Sequence, residues 1–354
     1  MIGHAPVMRF ASRGNSAEAD ADDTLNCDLC PHRCRIPENG CGICKVRFNS
    51  ESTNLPFYGH VTSLALDPIE KKPLFHFRPG SRILSAGFAG CNMHCPFCQN
   101  WQISQDTRAP GRQIEAAALV AMAKESGQIA YTYSEPLVHI EFLLDCMRQA
   151  RLEGIANVLV TNGCINHEAA EEVLNLTDAA NIDLKCFSRE TYSQILGGDL
   201  DTVLEFIKTA WKKNVHIEIT TLVVPGLNDS RQELDAIADF IAQGNSGRGK
   251  SGTPWHLSAC HPDWKWNGPG TKASQLYAIA KAARNRLAHV YTGNIAGEEN
   301  NTYCENCGST LIRRRGYNID TAGLYISGKN GAYFCAACKS GTPILAEWYK
   351  QSAL

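Results

Sequence analysis

The sequence contains no apolar run approaching the roughly 18 residues that a bilayer-spanning helix needs. It also lacks a charge surplus. Across 354 residues, 34 Lys and Arg face 36 Asp and Glu, a formal net charge of −2. That balance excludes a broad cationic surface for nucleic acid or an anionic membrane. Residues 1–23 lack the apolar centre of an export signal and end in acidic, Ala-rich sequence, so they read as a flexible tail on a cytoplasmic protein. Internal repeats are missing too, beyond a strand–helix rhythm. Apolar content, at 44 %, is ordinary for a chain with a sizeable core.

Cysteine, in contrast, is abundant, with 16 residues of which twelve are clustered. Five lie between Cys27 and Cys44, three between Cys91 and Cys98, and four in the pairs Cys304/Cys307 and Cys335/Cys338. Cytosolic thiols stay reduced, so clusters of this kind read as metal ligands and not as disulfides. Cys146, Cys164, Cys186 and Cys260 remain. The last three follow strand ends and could face a site, although buried cysteine is also a common filler.

From about Ser81 the chain alternates short apolar runs with helical patterns. Strands are expected at Ile83–Phe88, Ile129–Tyr133, Asn157–Val160, Ala180–Leu184, His216–Val224 and Trp255–Ala259. Helices are expected near Gln113–Glu125, Leu137–Arg151, Asn166–Leu176 and Asp201–Lys213, then one through Ile241 and one near Lys272–Leu287. Val203, Ile207, Ala210 and Trp211 share one face at helical spacing. Six strand–loop–helix units predict a parallel α/β sheet, doubly wound or a partial barrel, with its site where strands end and helices begin. Gly244–Gly252 reads as a surface loop.

Cys91, Cys95 and Cys98 follow the first of these strands with Cys-x3-Cys-x2-Cys spacing. Composition alone gives about 0.03 chance matches to it, from 16 × (16/354)². Three thiolates suit an iron–sulfur cube with one open iron better than a closed zinc site, which takes four protein ligands. The bland alternative is zinc that borrows His94 or a distant ligand. Further along, Tyr133-Ser134-Glu135-Pro136, Thr161-Asn162-Gly163, Asp183-Leu184-Lys185, Val223-Val224-Pro225-Gly226 and Pro254-Trp255-His256 stand at successive strand ends. Taken singly, each reads as a turn or a cap, and Glu135-Pro136 suits a helix start.

Together, behind the cysteine triplet with Phe97 before its last member, these motifs resemble the radical S-adenosylmethionine (SAM) superfamily. Within it they resemble the pyruvate formate-lyase, or glycyl-radical-enzyme, activating enzymes. The resemblance implies a partial (β/α)6 barrel over residues 81–295 and a 4Fe–4S cluster on Cys91, Cys95 and Cys98. It also implies reductive cleavage of SAM to a 5′-deoxyadenosyl radical that abstracts hydrogen from a protein or small-molecule substrate, an oxidoreductase chemistry. Tyr133, Glu135, Thr161, Asn162, Asp183, Lys185, Val223 and His256 would then surround SAM, with Glu135 on its ammonium. Val160 stands where activases commonly carry Asp, which counts against a bound monovalent cation. A flavodoxin or ferredoxin, or another reductase, would supply the electron.

Two small modules flank the barrel. Cys304, Cys307, Cys335 and Cys338 read as a zinc ribbon over residues 296–354, with rubredoxin-like iron as the minor alternative, and such a site staples a domain with too little core. Residues 24–80 carry Cys27, Cys30, Cys34, Cys41 and Cys44. Leu29–His32, Gly42-Ile43-Cys44, Tyr131–Pro136 and His261–Asp263 resemble radical SAM enzymes of the AmmeMemoRadiSam system. That resemblance makes Cys27, Cys30, Cys34 and Cys44 ligands of zinc or of a second 4Fe–4S cluster, leaves Cys41 as an extra, and implies Memo-like and Amme-type partner proteins. Trp255, Trp264 and Trp266 cluster around a loop that reads equally as a recognition surface or as a packed lid. Arg313–Arg315 read as a solvated face. Competing with the radical enzyme are a glycyl-radical activase in the strict sense, a zinc-stapled RNA-binding protein and a tRNA-modifying enzyme. The charge balance weakens the last two.

Overall fold

The computed structural model describes residues 7–13, 23–51, 54–244, 252–296, 300–326 and 332–346. The expected N-terminal tail and the Gly/Ser-rich loop fall largely outside these. A nine-stranded sheet forms the centre. Its strands are β1 (His60–Pro68), β2 (Arg82–Phe88), β3 (Arg112–Gln113), β4 (Gln128–Thr132), β5 (Ala156–Thr161), β6 (Ala179–Asp183), β7 (His216–Val223), β8 (Trp255–Ala259) and β9 (Val290–Gly293), in spatial order β9-β8-β7-β6-β5-β4-β2-β1-β3. The run from β2 to β9 is parallel throughout, while β1 pairs antiparallel with β2 and β3. This is the parallel α/β sheet expected from the sequence, with one parallel strand more than the six strand–helix units read there.

Helices α1 (Ala116–Met122), α2 (Ile140–Leu152), α3 (His167–Leu176), α4 (Leu200–Lys212), α5 (Arg231–Gly244) and α6 (Ala273–Ala283) connect the strands. In α4, Asp199 accepts the Thr202 N–H as N-cap, and Val203, Phe206, Ile207 and Ala210 are buried at helical spacing. Strands covered on both faces are near-continuously apolar, and every residue of β2 after Arg82 is buried.

Alternation along the strands separates two cores. Leu84, Ala86, Phe88, Ile129, Tyr131 and Leu159 pack with the helices. On the other face Ile83, Ala130, Ala156, Val158 and Ala179 meet Ile69, Leu74 and Phe77, which lie between β1 and β2. That connection enters the concave side of the sheet. The His76 N–H donates to Glu218 Oε1 at 2.7 Å, and Asn181 Nδ2 donates to the Pro73 carbonyl at 2.8 Å. Residues from His60 to Phe77, which sequence spacing groups with the N-terminal cysteines, thus build part of the central sheet and fill its base.

The small modules are antiparallel. Ala11–Arg13, Leu25–Cys27 and Arg35–Ile36 form one three-stranded sheet, and the C-terminal module forms two more. Its core consists of Cys304, Leu311, Ile312, Leu324, Cys335 and Ile344. Arg314 fastens this module to the barrel. Its guanidinium donates to the Asn300 and Phe75 carbonyls and to Thr302 Oγ1 at 2.7–3.0 Å, over the Phe75 ring. Of the three consecutive arginines only Arg313 and Arg315 are solvated, because strand alternation turns Arg314 inward.

Candidate active site

Small residues near the C-terminal ends of the strands, Gly87 on β2 and Thr132 on β4, leave room there. Gly87 has no alternative there, since a Cβ would collide with Ser63 and with the Tyr133 ring. The resulting cavity, of about 320 Å³, is lined by Cys91, Cys95 and Cys98 and by Tyr133, Glu135, Thr161, Asn162, Asp183 and Lys185. Val223 and His256 do not line it. On β7 it is Thr220 and Leu222 that reach the cavity, which sends Val223 into the helix-facing core. His256 lines an adjoining cavity and bonds Glu218 Oε2 at 2.7 Å.

The cysteine loop is held by groups other than a metal. Asn162 Nδ2 donates to Asn92 Oδ1 at 3.0 Å and lies 3.7 Å from Cys91 Sγ, while Asn92 Nδ2 donates to the Cys164 carbonyl at 2.7 Å. The Met93 N–H points to Cys91 Sγ at 3.4 Å, and Cys98 Sγ is 3.3 Å from Ser104 Oγ. Burial pushes the Cys91 thiol well above its ordinary value, and the Glu135 charge adds to this. Cys95 is pushed up to about 11 by burial, against the pull of Lys185.

Glu135 is 1 % exposed. Oε1 accepts from the Leu137 N–H and Thr161 Oγ1, and Oε2 from the Asn162 N–H, at 2.7–3.0 Å. It therefore caps the turn that begins at Pro136 while standing on the cavity wall. Burial raises its pKa to about 7 against those three donors. Opposite, Lys185 Nζ pairs with Asp183 Oδ2 at 2.9 Å. Burial works against that ammonium, yet Asp183 and then Cys95 hold it well above the usual lysine value.

The cavity also holds residues that sequence reading passed over. Lys72, 1 % exposed, donates to Asp67 Oδ2 at 2.9 Å and to Tyr133 Oη at 3.3 Å, and Tyr133 Oη donates to the same Asp67 oxygen at 2.6 Å. Tyr133 takes a φ of +72°, a strained value for a non-glycine residue and one that recurs at functional sites. The Asp67–Lys72 run lies before the first expected strand, where no strand-end pattern marks it. A second cavity, of about 340 Å³, shares Lys71, Pro73, Ser258 and Asn294 with the first. Glu70, Phe75, His256, Ile295, Arg314 and Tyr317 also stand on its wall.

Other expected positions fall elsewhere. Cys146, Cys164, Cys186 and Cys260 are buried and line neither cavity. His94 packs its ring against Gly197 and also lines neither. In the tryptophan loop the Lys265 N–H donates to the Pro96 carbonyl at 3.0 Å, and Trp266 packs edge-on against Phe97. Cys304, Cys307, Cys335 and Cys338 present their Sγ atoms within 4.8 Å of one another, a set that could hold a metal ion. Cys41 is exposed.

A parallel α/β sheet with three cysteines beyond its first parallel strand, and a cavity walled by the following strand ends, defines a class. Residues 87–241 match the Radical SAM superfamily. An uncharacterized protein of Methanocaldococcus jannaschii is 38 % identical over 325 residues, which is 90 % of this chain and 94 % of that one. The Escherichia coli K12 pyruvate formate-lyase 1-activating enzyme is 28 % identical over 198 residues, or 53 % of this chain and 78 % of the enzyme. Among solved structures, a domain of pyruvate-formate lyase-activating enzyme from Bacteroides vulgatus aligns with a TM-score of 0.40 and 20 % identity, covering 47 % of this chain and 98 % of that domain.

Residues 87–241 therefore carry a radical SAM domain, and a domain of this kind implies a 4Fe–4S cluster and SAM. Among the described residues, no helix is long and apolar enough to cross a membrane.

Proposed function

We propose that Cys91, Cys95 and Cys98 hold the 4Fe–4S cluster, that the first cavity takes SAM, and that the second takes a small polar substrate from which hydrogen is abstracted. When bound, cluster and SAM supply a one-electron cleavage that yields a hydrogen-abstracting carbon radical. The protein's own residues do the rest. Asn162 and Asn92 fix the cysteine loop, Glu135 offers a buried carboxylate to an ammonium, and the Asp183–Lys185 pair offers one charge of each sign to polar groups. Trp266 and Phe97 cover one side of the cysteine loop and keep water from it. The four C-terminal thiols read as a zinc staple, in line with their close spacing and the small core around them.

The observation that carries the substrate reading is the second cavity, which adjoins the first and shares Lys71, Pro73, Ser258 and Asn294 with it. A nucleoside joined to an amino acid would take up the first cavity, so a reacting group must approach from the adjoining one. The activating-enzyme relatives favour a second reading, in which the substrate is a glycine of a partner protein. Membership in the AmmeMemoRadiSam system, with Memo-like and Amme-type partners, remains compatible with both.

Anaerobic, reconstituted protein should form 5′-deoxyadenosine with dithionite. A low-molecular-mass fraction of cell extract should stimulate that reaction, and Ile295→Trp, which narrows the second cavity, should remove only the stimulation. Stimulation confined to the protein fraction would favour the activase reading. No SAM cleavage at all would overturn both.

A further inference from the structure

The wall of the second cavity carries a charge that the protein itself leaves unbalanced. Arg314 stands on that wall with 2 % of its surface exposed, and the hydrogen-bond partners of its guanidinium are neutral. Its Nη groups donate to the Phe75 and Asn300 carbonyls and to Thr302 Oγ1 at 2.7–3.0 Å. The guanidinium carbon lies 4.4 Å from the centre of the Phe75 ring. Among the described residues, Arg314 Nε has no hydrogen-bond partner. A buried cation held only by dipoles is poorly stabilised, and an anion placed beside it relieves that deficit.

The neighbouring carboxylates do not fill this role. Glu218 Oε1 accepts from the His76 N–H at 2.7 Å and lies 3.1 Å from His216 Nε2, while Oε2 lies 2.7 Å from His256 Nε2. Glu70 shares the cavity wall with Arg314, but its Oε1 takes the Gly80 N–H at 2.7 Å. Its Oε2, like Arg314 Nε, has no partner, so the two side chains are not hydrogen-bonded to each other. Burial outweighs both carboxylates and lowers the Arg314 pKa. Lys71 adds to the positive side. It lines both cavities, and its Nζ shares Asp67 with Lys72, one carboxylate between two ammoniums.

We propose that the second cavity takes a small carboxylate, its anionic group set against Arg314 and Lys71. This rests on the reading of that cavity as the substrate site and gives the substrate its chemical class. Two cations against Glu70 leave one surplus charge, which suits a monoanion, and Glu70 on the same wall disfavours a phosphate dianion. A planar carboxylate also matches the guanidinium fork, whose Nε–H is still unpaired. The volume of about 340 Å³ is at the small end of ligand pockets and limits the size of the acid. Arg314 comes from the strand Thr310–Arg315 of the C-terminal module, so that module takes part in recognition.

The probe is trifluoroacetate, read by the width of its fluorine resonance with anaerobic, cluster-loaded, full-length protein. Trifluoroacetamide is its neutral counterpart. Trifluoroacetate should broaden saturably and trifluoroacetamide should not. Ile295 stands on the wall of the second cavity and not of the first, so Ile295→Glu and Ile295→Gln, alike in shape, differ there by one charge. The Glu variant should bind trifluoroacetate at least about tenfold more weakly than the Gln variant. Arg314→Gln should weaken binding in the same way, and if it misfolds, the Ile295 pair, which leaves Arg314 in place, decides. Equal affinity of the two Ile295 variants, or no saturable broadening, overturns the proposal. The low-molecular-mass stimulant of 5′-deoxyadenosine formation should be retained by an anion exchanger. If it passes through while trifluoroacetate binds as stated, the carboxylate site stands and the substrate reading of the cavity falls. A stimulant that passes through, with no trifluoroacetate bound, leaves the substrate reading and sinks the carboxylate.

Discussion

The central cysteine triplet lies within one short loop and the C-terminal quartet joins two distant Cys-x2-Cys pairs, and the protein holds them in opposite ways. Around the triplet, Asn92, Asn162, Gly90 and the Trp266 lid fix the loop from outside, within the largest apolar core of the molecule. Around the quartet, the buried core consists of Leu311, Ile312, Leu324 and Ile344 with two of the cysteines themselves. On the reading proposed above, the first would be a socket built ahead of its cluster and the second a fold whose metal is part of the scaffold, so that folding would lean on the metal in the ribbon and chemistry on it in the barrel.

The sharpest way to break this contrast is to remove one ligand from each. Cys91→Ser should lower 5′-deoxyadenosine formation by at least about 100-fold, since loss of a direct ligand exceeds the usual cost of an outer partner. Its thermal unfolding should change little beyond the loss of bound cluster. Cys338→Ser should do the reverse. Zinc content falls, limited proteolysis cuts near Asn300–Tyr303, and SAM cleavage stays within a few-fold of wild type. If Cys338→Ser abolishes cleavage while the ribbon stays protease-resistant, the quartet is no mere staple.

Much of this was legible in the residues. Cysteine spacing and the strand–helix rhythm point to the sheet and the triplet, and six of the eight positions that the family resemblance implies around SAM line the first cavity. The two that fall elsewhere do so for different reasons. Period-two alternation turns Thr220 and Leu222 inward and Val223 away, whereas His256 shares the inward face of its strand with Ser258 but stands nearer the strand's start, on Glu218 beside the second cavity. Asp67, Glu70 and Lys72 were invisible for another reason. Their segment has no regular period, and its importance comes from threading into the concave face, a tertiary event that Asn181 and Glu218 secure from far along the chain. Arg314 reads as surface charge until the strand pairing that turns it inward is known.

A smaller change sharpens the idea of a prebuilt socket. Asn162→Ala removes the donor to Asn92 Oδ1 and the neighbour of Cys91 Sγ without touching a ligand. Orientation of ligands by such partners is worth about 10–100-fold in metal affinity or activity. Cluster content after mild chelation should fall by that order, with far-ultraviolet circular dichroism unchanged. Full retention would mean that the loop's backbone alone sets the socket.

The smallest expected effect concerns Glu135, where burial competes with three hydrogen-bond donors. Burial prevails and lifts the carboxyl to about 7, against about 4.3 for an unfolded glutamate. Between those values the folded protein binds the additional proton, so its stability falls as pH rises from about 4.5 through 7 and levels off above, a span of a few kcal/mol at most. Glu135→Gln cannot titrate, and its melting temperature should lose this component of the slope, whatever its absolute stability. Parallel slopes for the two proteins between pH 5 and 7.5 would mean that Glu135 is already ionised throughout. The Asn162, Thr161 and Leu137 donors would then outweigh burial, and the first cavity would carry a fixed negative charge before any cofactor enters.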